Sequence, residues 1–178
     1  MYNSCMTEIN ALQQITEVCG IGNNFVYRED DDTFEPPIYE ICDALNIEIR
    51  REELSQNLSG MLRGNVITIN KKHSPRRRIF TLAHELGHYL YNRMHNRQND
   101  DDRRGYYDNP EVIEREKFAN DFAARFLMPE DDFTNAYRRL NGNLVNIADY
   151  FLTSVDACKW RAINLGLYNV FSNGYYGE

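Results

Sequence analysis

The chain has 178 residues, of which 42% carry apolar side chains and 26% are charged, so it predicts one globular domain and excludes a large multidomain assembly. Its formal charge of −7 repels a nucleic-acid backbone, which leaves DNA contact only to a local basic patch. There is no apolar run long enough to span a membrane, and residues 1–10 lack the basic start and apolar middle of a secretory signal, so we expect neither a membrane protein nor an exported one.

Two helices are predicted in the first part of the chain. Residues 7–18 carry apolar groups at helical spacing, and Gly20 follows as a stop signal. The acidic stretch 28–35 predicts a surface loop. Prolines at positions 36–37 then open a second helix, whose apolar positions continue to Ile47.

A small sheet is predicted between residues 46 and 70. Apolar residues there no longer recur at helical spacing but tend to alternate with polar ones, as in a strand. Gly60 and Gly64 provide turn points within this stretch. We therefore predict a small, largely antiparallel three-stranded sheet packed with helices, which is an α+β fold. The alternating apolar residues are Ile47, Ile49, Val66, Ile67 and Ile69.

Two long helices are predicted after the sheet. Ser74 as an N-cap and Pro75 at the first helical position introduce a helix over residues 76–94. A second long helix is predicted over residues 111–127, with Pro129 beyond its end. Two short helices around Thr153 and Ser154, which resemble a helix-turn-helix, are predicted for the last third of the chain.

The first long helix carries the sequence HELGH at residues 84–88, which matches the HExxH pattern. His84 and His88 lie about 40° apart around a helix and one turn along it, so two imidazoles can bind one ion. They lie opposite the apolar stripe, so the helix is expected to bury one side and to offer the other to a cleft. The competing interpretation is that both histidines lie on an exposed helix face without a ligand.

A catalytic zinc ion needs a third protein ligand, and the second long helix is the expected source. Glu116 shares a helix face with Ala119 and Ala123, whose small side chains allow two helices to lie close together. Asn120, one turn later, is placed for a hydrogen bond to a ligand histidine. In the competing interpretation, Glu116 is a solvated acid near a helix N-terminus. Glu114 is the reserve candidate for the third ligand.

Glu85 is rotated by about 100° from His84 around the helix, which places it beside the ligand face. That position suits a general base acting on water at the ion, so the pattern indicates metal-assisted peptide hydrolysis. Zinc is the expected ion, and Mn²⁺ and Fe²⁺ stay open because they accept the same donors.

The chain resembles the ImmA/IrrE family of zinc-dependent metallo-endopeptidases over roughly residues 35–165. The resemblance rests on three strings, namely ITIN at 67–70, RRIFTLAHELGH at 77–88 and FANDFAARFLMP at 118–129. It implies a zincin-like fold around the HExxH helix. Position by position, it implies zinc ligands at His84, His88 and Glu116 and a catalytic residue at Glu85.

Members of this family cut helix-turn-helix repressors, and this resemblance implies the same class of partner here. We therefore expect a zinc endopeptidase acting on a repressor or antitoxin encoded nearby. The expected organisation is a metallopeptidase domain over residues 1–142 and a C-terminal helical extension over residues 143–178, packed on the same domain. The sheet edge beside the cleft is a candidate for binding an extended substrate segment by strand addition.

A polar insert over residues 96–110 separates the two ligand helices. Its composition favours a disordered linker, and the alternative is a lid that uses Tyr106 or Tyr107. Solvated surface positions are expected for His73, His95 and the basic run 76–78.

The alternative function is a non-catalytic, zinc-containing binding module that regulates a repressor or DNA through residues 144–167. Direct DNA binding is less favoured, because Lys159 and Arg161 there are balanced by Asp149 and Asp156.

The cysteines lie far apart and form no CxxC pair, which argues against a thiolate metal site and a disulfide scaffold. A reducing cytoplasm is the expected location. The cysteines are Cys5, Cys19, Cys42 and Cys158.

Overall fold

The computed structural model describes residues 36–97 and 109–168. Within these residues the chain forms six helices and three strands, and the helices follow or flank the sheet, so the α+β class is confirmed. The helix predicted over residues 7–18 and most of the polar insert lie outside the described residues. An ion pair between Arg97 and Glu111 joins the two described ends of that insert.

The sheet has three short strands in the order β1, β3, β2. In the β2–β3 pair the strands are antiparallel, with Met61 opposite Thr68. In the β1–β3 pair they are parallel, with Ile49 opposite Ile67. The strands are β1 (Glu48–Glu52), β2 (Gly60–Arg63) and β3 (Val66–Asn70).

The sheet is thus mixed, which corrects the expectation of a largely antiparallel one. A parallel pair needs a crossover connection, and here β2 with its flanking loops provides it. Residues 53–59 carry the chain past the position that β3 fills afterwards. The β2–β3 pair is the tight hairpin that Gly64 predicts, because its φ of 57° lies in the left-handed region where glycine has no Cβ to clash.

A buried asparagine at the end of β3 anchors the loop between β1 and β2. Asn70 is 1% exposed, and its amide nitrogen donates to the carbonyls of Leu58 at 2.9 Å and Ser55 at 3.2 Å. Its side-chain oxygen accepts from the Lys72 amide at 3.1 Å, while its own backbone amide donates to Ser59 at 2.9 Å. The loop therefore has a defined position relative to the sheet.

The two long helices follow the limits that their capping residues predict. The Ser74 hydroxyl accepts from the Arg77 amide at 3.4 Å, and the Asn109 side chain accepts from the Glu111 amide at 2.9 Å, so each supplies an N-cap acceptor. The helices are α1 (Ile38–Ala44), α2 (Pro75–Met94), α3 (Pro110–Leu127), α4 (Glu130–Arg139), α5 (Leu144–Tyr150) and α6 (Val155–Asn164).

Helix α4 is absent from the sequence-based prediction, which uses Pro129 only as a stop. Pro129 ends α3 and also serves as the N-cap of α4. Acidic residues 130–132 fill its first turn and Arg138 and Arg139 its last, an arrangement that favours the helix dipole. Phe133 and the residues one turn along it supply an apolar face. These signals are present in the sequence and are sufficient to identify the helix.

Helix α2 lies at the centre of the fold and is buried around most of its circumference. Leu82 and Leu86 on the predicted apolar stripe are fully buried. Outside that stripe, Glu85 and His88 are also buried, at 2% and 5% exposure. The expected open face is therefore largely covered, because α3 and β2 pack along α2. The region around the half-buried His84 remains open to a cleft.

Helices α5 and α6 pack against the rest of the fold. Arg161 on α6 is 5% exposed, and its Nε donates to the Met128 carbonyl at 2.9 Å. The Cys158 Sγ lies 3.8 Å from the Met128 Sδ, and an ion pair of 2.6 Å between Arg76 and Asp149 joins α2 to α5. Burial of Arg161 reduces the basic charge that this helix pair presents to a nucleic acid.

The turn between α5 and α6 lies at the predicted position. The Ser154 hydroxyl caps α6 by accepting from the Ala157 amide at 3.1 Å. The domain boundary between residues 142 and 143 stays a prediction. Within the described ranges, we find no helix with both the length and the apolar character needed to cross a membrane.

Candidate metal centre

Helices α2 and α3 bring together two imidazoles and one carboxylate. His84 and His88 lie one turn apart on α2, and their Nε2 atoms are 3.0 Å apart. From α3, the Glu116 carboxylate approaches both rings, with Oε2 3.4 Å from the His84 Nε2 and Oε1 3.3 Å from the His88 Nε2. Among the described residues, these three form the group of potential ligands close enough to share one ion.

The donor atoms of these three residues are separated by distances close to those of a tetrahedral cation site. In a tetrahedral zinc site with bonds of about 2.0–2.1 Å, neighbouring donors lie about 3.3–3.4 Å apart. The separations of 3.3 and 3.4 Å from Glu116 match that value, and the separation of 3.0 Å between the imidazoles is slightly shorter. The two separations from Glu116 end on its two different oxygens, so the carboxylate faces both rings. A tetrahedral ion held by these three residues would keep one position for water or substrate.

The ionisation of these groups suits a cation as well. Burial lowers the pKa of His88 and outweighs the opposing effect of Glu116, so this imidazole favours its neutral form. Burial alone would raise the pKa of Glu116, but hydrogen bonds with His84 and His88 hold it well below its ordinary value. Neutral imidazole and ionised carboxylate are the forms that bind metals.

Asn120 lies within hydrogen-bonding distance of one of the two imidazoles. Its side-chain oxygen lies 3.1 Å from the His84 Nδ1, a distance at which a protonated Nδ1 donates to the amide oxygen. That tautomer leaves a lone pair on the His84 Nε2, directed toward Glu116 and His88. The buried Nδ1 of His88 makes no hydrogen bond to a described residue. The two rings therefore differ, because only His84 has a described hydrogen-bond partner at its Nδ1.

Glu85 lies beside the donor group, where α2 meets the edge strand β2. It is buried, and it lines a cleft of about 400 Å³ together with His84. A Cβ built at Gly60, the first residue of β2, would lie 3.3 Å from the Glu85 Oε1 and 2.5 Å from the Thr81 Cγ2. The absence of a side chain at Gly60 thus lets β2 approach the carboxylate closely.

The cleft has walls that sequence reasoning did not identify. They include residues 57–59 at the end of the β1–β2 loop, Gly60 at the start of β2, and Arg77 and Phe80 on α2. Arg77 belongs to the run expected to be solvated, and it is exposed, but its guanidinium also donates to the Ser59 hydroxyl at 2.9 Å. A contact across 18 positions of the chain has no local sequence signal.

Three other candidates are not part of the donor group. Glu114 is exposed on α3, and His95 is exposed and lies against the Tyr91 ring at 4.3 Å between centroids. His73 is half-buried in the turn before α2. His95 is exposed as predicted, whereas the half-buried His73, whose Nδ1 is buried, corrects the expectation of a solvated surface position.

Close approach of α2 and α3 depends on Gly87, between the two histidines. A Cβ built there would lie 2.9 Å from the Ala119 Cα and 3.2 Å from the Ala119 carbonyl oxygen. Both atoms belong to backbone, so the clash can be relieved only if the helices move apart. Gly87 and Ala119 therefore set the separation at which Glu116 reaches the two imidazoles.

Replacing Gly87 with alanine is expected to reduce the free energy of unfolding by about 1 kcal/mol. Overpacking a tight core lowers stability by about 1–3 kcal/mol, whereas the higher helix propensity of alanine raises it by roughly 1 kcal/mol. Urea denaturation of the metal-free protein measures the net effect. A variant more stable than the wild type would show that the helices have room at this contact.

Comparison with known proteins agrees with this fold. The family model Peptidase_M78, described as the IrrE N-terminal-like domain, matches residues 42–162. A solved structure titled "Mycobacterium tuberculosis transcriptional regulator" is similar with a TM-score of 0.57 and 16% sequence identity, and the match covers 90% of this chain and 47% of that one. This chain therefore spans about half the length of that regulator. Curated proteins give no match.

Proposed function

Because the chain belongs to the IrrE N-terminal-like domain family of metallopeptidases, we propose that it is a zinc-dependent endopeptidase that cleaves a specific protein partner. The observation that carries this proposal is the group formed by His84, His88 and Glu116, with the buried Glu85 beside it. Two imidazoles and one carboxylate are a donor set of catalytic zinc sites. Mn²⁺ and Fe²⁺ are alternative occupants, since they accept the same donors.

In this proposal each residue near the donor group has a defined task. His84, His88 and Glu116 hold the cation, and Asn120 fixes the tautomer and orientation of His84 through the contact at 3.1 Å. A divalent cation bound there supplies a Lewis acid that lowers the pKa of water toward about 7 and polarises a carbonyl group.

Glu85 carries the proton during hydrolysis. Its carboxylate accepts a proton from the attacking water and then donates it to the amine that leaves when the peptide bond breaks. The position of Glu85 supports this task, because the side chain lines the cleft next to His84. A side chain at Gly60 would reach the carboxylate, so glycine at this position leaves space beside Glu85 for the substrate.

We infer that the substrate binds as an extended segment along β2. This strand forms one edge of the sheet and begins at the cleft. An edge strand can pair with another chain through its backbone. A strand placed there would run past Glu85, with its peptide groups close to the donor group.

The proposed partner is a helix-turn-helix repressor or antitoxin encoded nearby. The family resemblance supports this choice, and so does the similarity of the fold to a protein titled a transcriptional regulator. A cytoplasmic location is part of the same proposal, because repressors act there.

Incubating the zinc-loaded protein with the repressor encoded beside its gene tests this function. We expect two repressor fragments, detected by mass spectrometry, and no fragments with metal-depleted protein. An intact repressor in the presence of stoichiometrically bound zinc would contradict the proposal and would favour a non-catalytic binding module.

A further inference from the structure

A second cavity adjoins the catalytic cleft. It has a volume of about 510 Å³ and shares Phe80 and Asn120 with the cleft. Phe80 comes from α2 and Asn120 from α3, so the two spaces meet between these helices directly beside His84. A chain bound in the cleft can therefore place a side chain in the second cavity.

The second cavity is mostly apolar, with two charged residues in its lining. Ala124 of α3 and Ala157 of α6 are small and leave the space open, while Phe80 and Trp160 provide aromatic walls. Lys117 and Asp121 on α3 also line it. We call this space the aromatic pocket, lined by Phe80, Lys117, Asn120, Asp121, Ala124, Ala157 and Trp160.

Trp160 is the largest of the exposed apolar side chains among the described residues. It is 41% exposed, although burial of an indole side chain is favourable. It is also the one tryptophan of the chain. An aromatic wall that stays open to solvent is typical of a surface that becomes covered when a ligand binds.

A third cavity adjoins the aromatic pocket at Trp160, and it is mostly polar. This cavity of about 690 Å³ shares Lys117, Asp121 and Trp160 with the aromatic pocket and is otherwise lined largely by charged and polar residues, including Arg125 and Glu130. Of the two cavities that follow the catalytic cleft, the mainly apolar one is therefore the one next to it. This order suits a polypeptide that places one apolar side chain near the scissile bond and polar residues farther away.

Resting on the peptidase function proposed above, we propose that the aromatic pocket binds a large apolar side chain of the protein substrate, next to the scissile bond. Ala157 and Trp160 of α6 are its specificity-determining residues. Phenylalanine, tyrosine, leucine and methionine are the class of side chain that the pocket accepts, since its walls combine aromatic faces with small residues. The C-terminal helix pair thereby contributes to substrate recognition as well as to packing.

A random-sequence peptide library, digested by the metal-loaded full chain and analysed by mass spectrometry, tests this specificity. We expect large apolar residues at one fixed position relative to the cut, with kcat/KM at least about tenfold higher than for alanine at that position. Cleavage without such a preference would overturn the pocket and leave the peptidase function standing. Absence of any cleavage would instead count against the peptidase function.

Trp160 provides a separate readout that needs no hydrolysis. Titration with N-acetylphenylalaninamide should shift the tryptophan emission to shorter wavelength, because the bound ring displaces water from the indole. N-acetylalaninamide should leave the emission unchanged. An identical response to both probes would overturn the pocket even if the protein proved to be an active peptidase.

Two variants locate the specificity on α6. Ala157→Phe fills the pocket and should reduce the ratio of kcat/KM for phenylalanine over alanine peptides by about tenfold or more. Trp160→Ala, which widens the pocket instead of filling it, should also reduce that ratio. Val155→Phe is the matched control, since Val155 is exposed on the same helix and does not line the pocket. A ratio unchanged in both pocket variants would overturn the assignment.

Discussion

Replacing Glu85 with glutamine is expected to lower kcat for peptide hydrolysis by about 10²–10⁴-fold, the usual contribution of a positioned general acid–base. Glutamine keeps the shape of the buried side chain but cannot accept the proton of the attacking water. The bound zinc should stay at the wild-type stoichiometry, because the proposed ligands are unchanged. Kinetics on the cleaved repressor and metal analysis of the same sample measure the two quantities.

The control for this variant is Glu40→Gln, which changes an exposed glutamate on α1 and should have wild-type kinetics. Wild-type hydrolysis by Glu85→Gln would show that another group transfers the proton. The same variant separates the two functions considered for this chain. A non-catalytic binding module would keep its effect on the repressor in cells without Glu85, whereas a peptidase would lose it.

Replacing Glu116 with alanine is expected to weaken zinc binding by more than about 10²-fold, since the loss of a group that merely supports a ligand already costs 10–100-fold. The carboxylate is the one anionic donor of the group and contacts both imidazoles, at 3.4 and 3.3 Å. Peptide hydrolysis should fall with zinc occupancy. Competition with a zinc-sensitive dye measures the affinity.

Glu114→Ala is the matched control, because Glu114 lies on the same helix two positions earlier and is exposed. It removes one negative charge near the site without removing a proposed ligand, so its zinc affinity should stay within a few-fold of wild type. Equal affinities of the two variants would contradict the role of Glu116 and would assign the effect to general electrostatics.

Much of the site could be predicted because its geometry is local to two helices. The spacing of His84 and His88 places both imidazoles on one face of any regular helix. Glu116 required one further assumption, that Ala119 allows close packing of the second helix, and the contact between Gly87 and Ala119 agrees with it. The distances within the group agree with the predicted arrangement, and the ligand roles themselves stay predictions.

The parts that could not be predicted depend on contacts between distant segments. Strand pairing is an example, since the alternating pattern of β1 is the same whether it pairs in parallel or antiparallel. The burial of Glu85 and His88 is another, because it depends on where β2 and α3 pack against α2. The aromatic pocket likewise forms only when Trp160 is brought next to Phe80, 80 positions earlier in the chain.

The near-complete burial of α2 bears on how the protein acquires its ion. Apolar contacts on its Leu82 and Leu86 side and packing of α3 on its other side position the donor side chains without help from a metal. The apoprotein is therefore expected to be folded with its coordination sphere preassembled, unlike small zinc domains whose folding energy comes from the ion. Metal uptake then becomes a late maturation step, and the measured zinc affinity carries no contribution from folding.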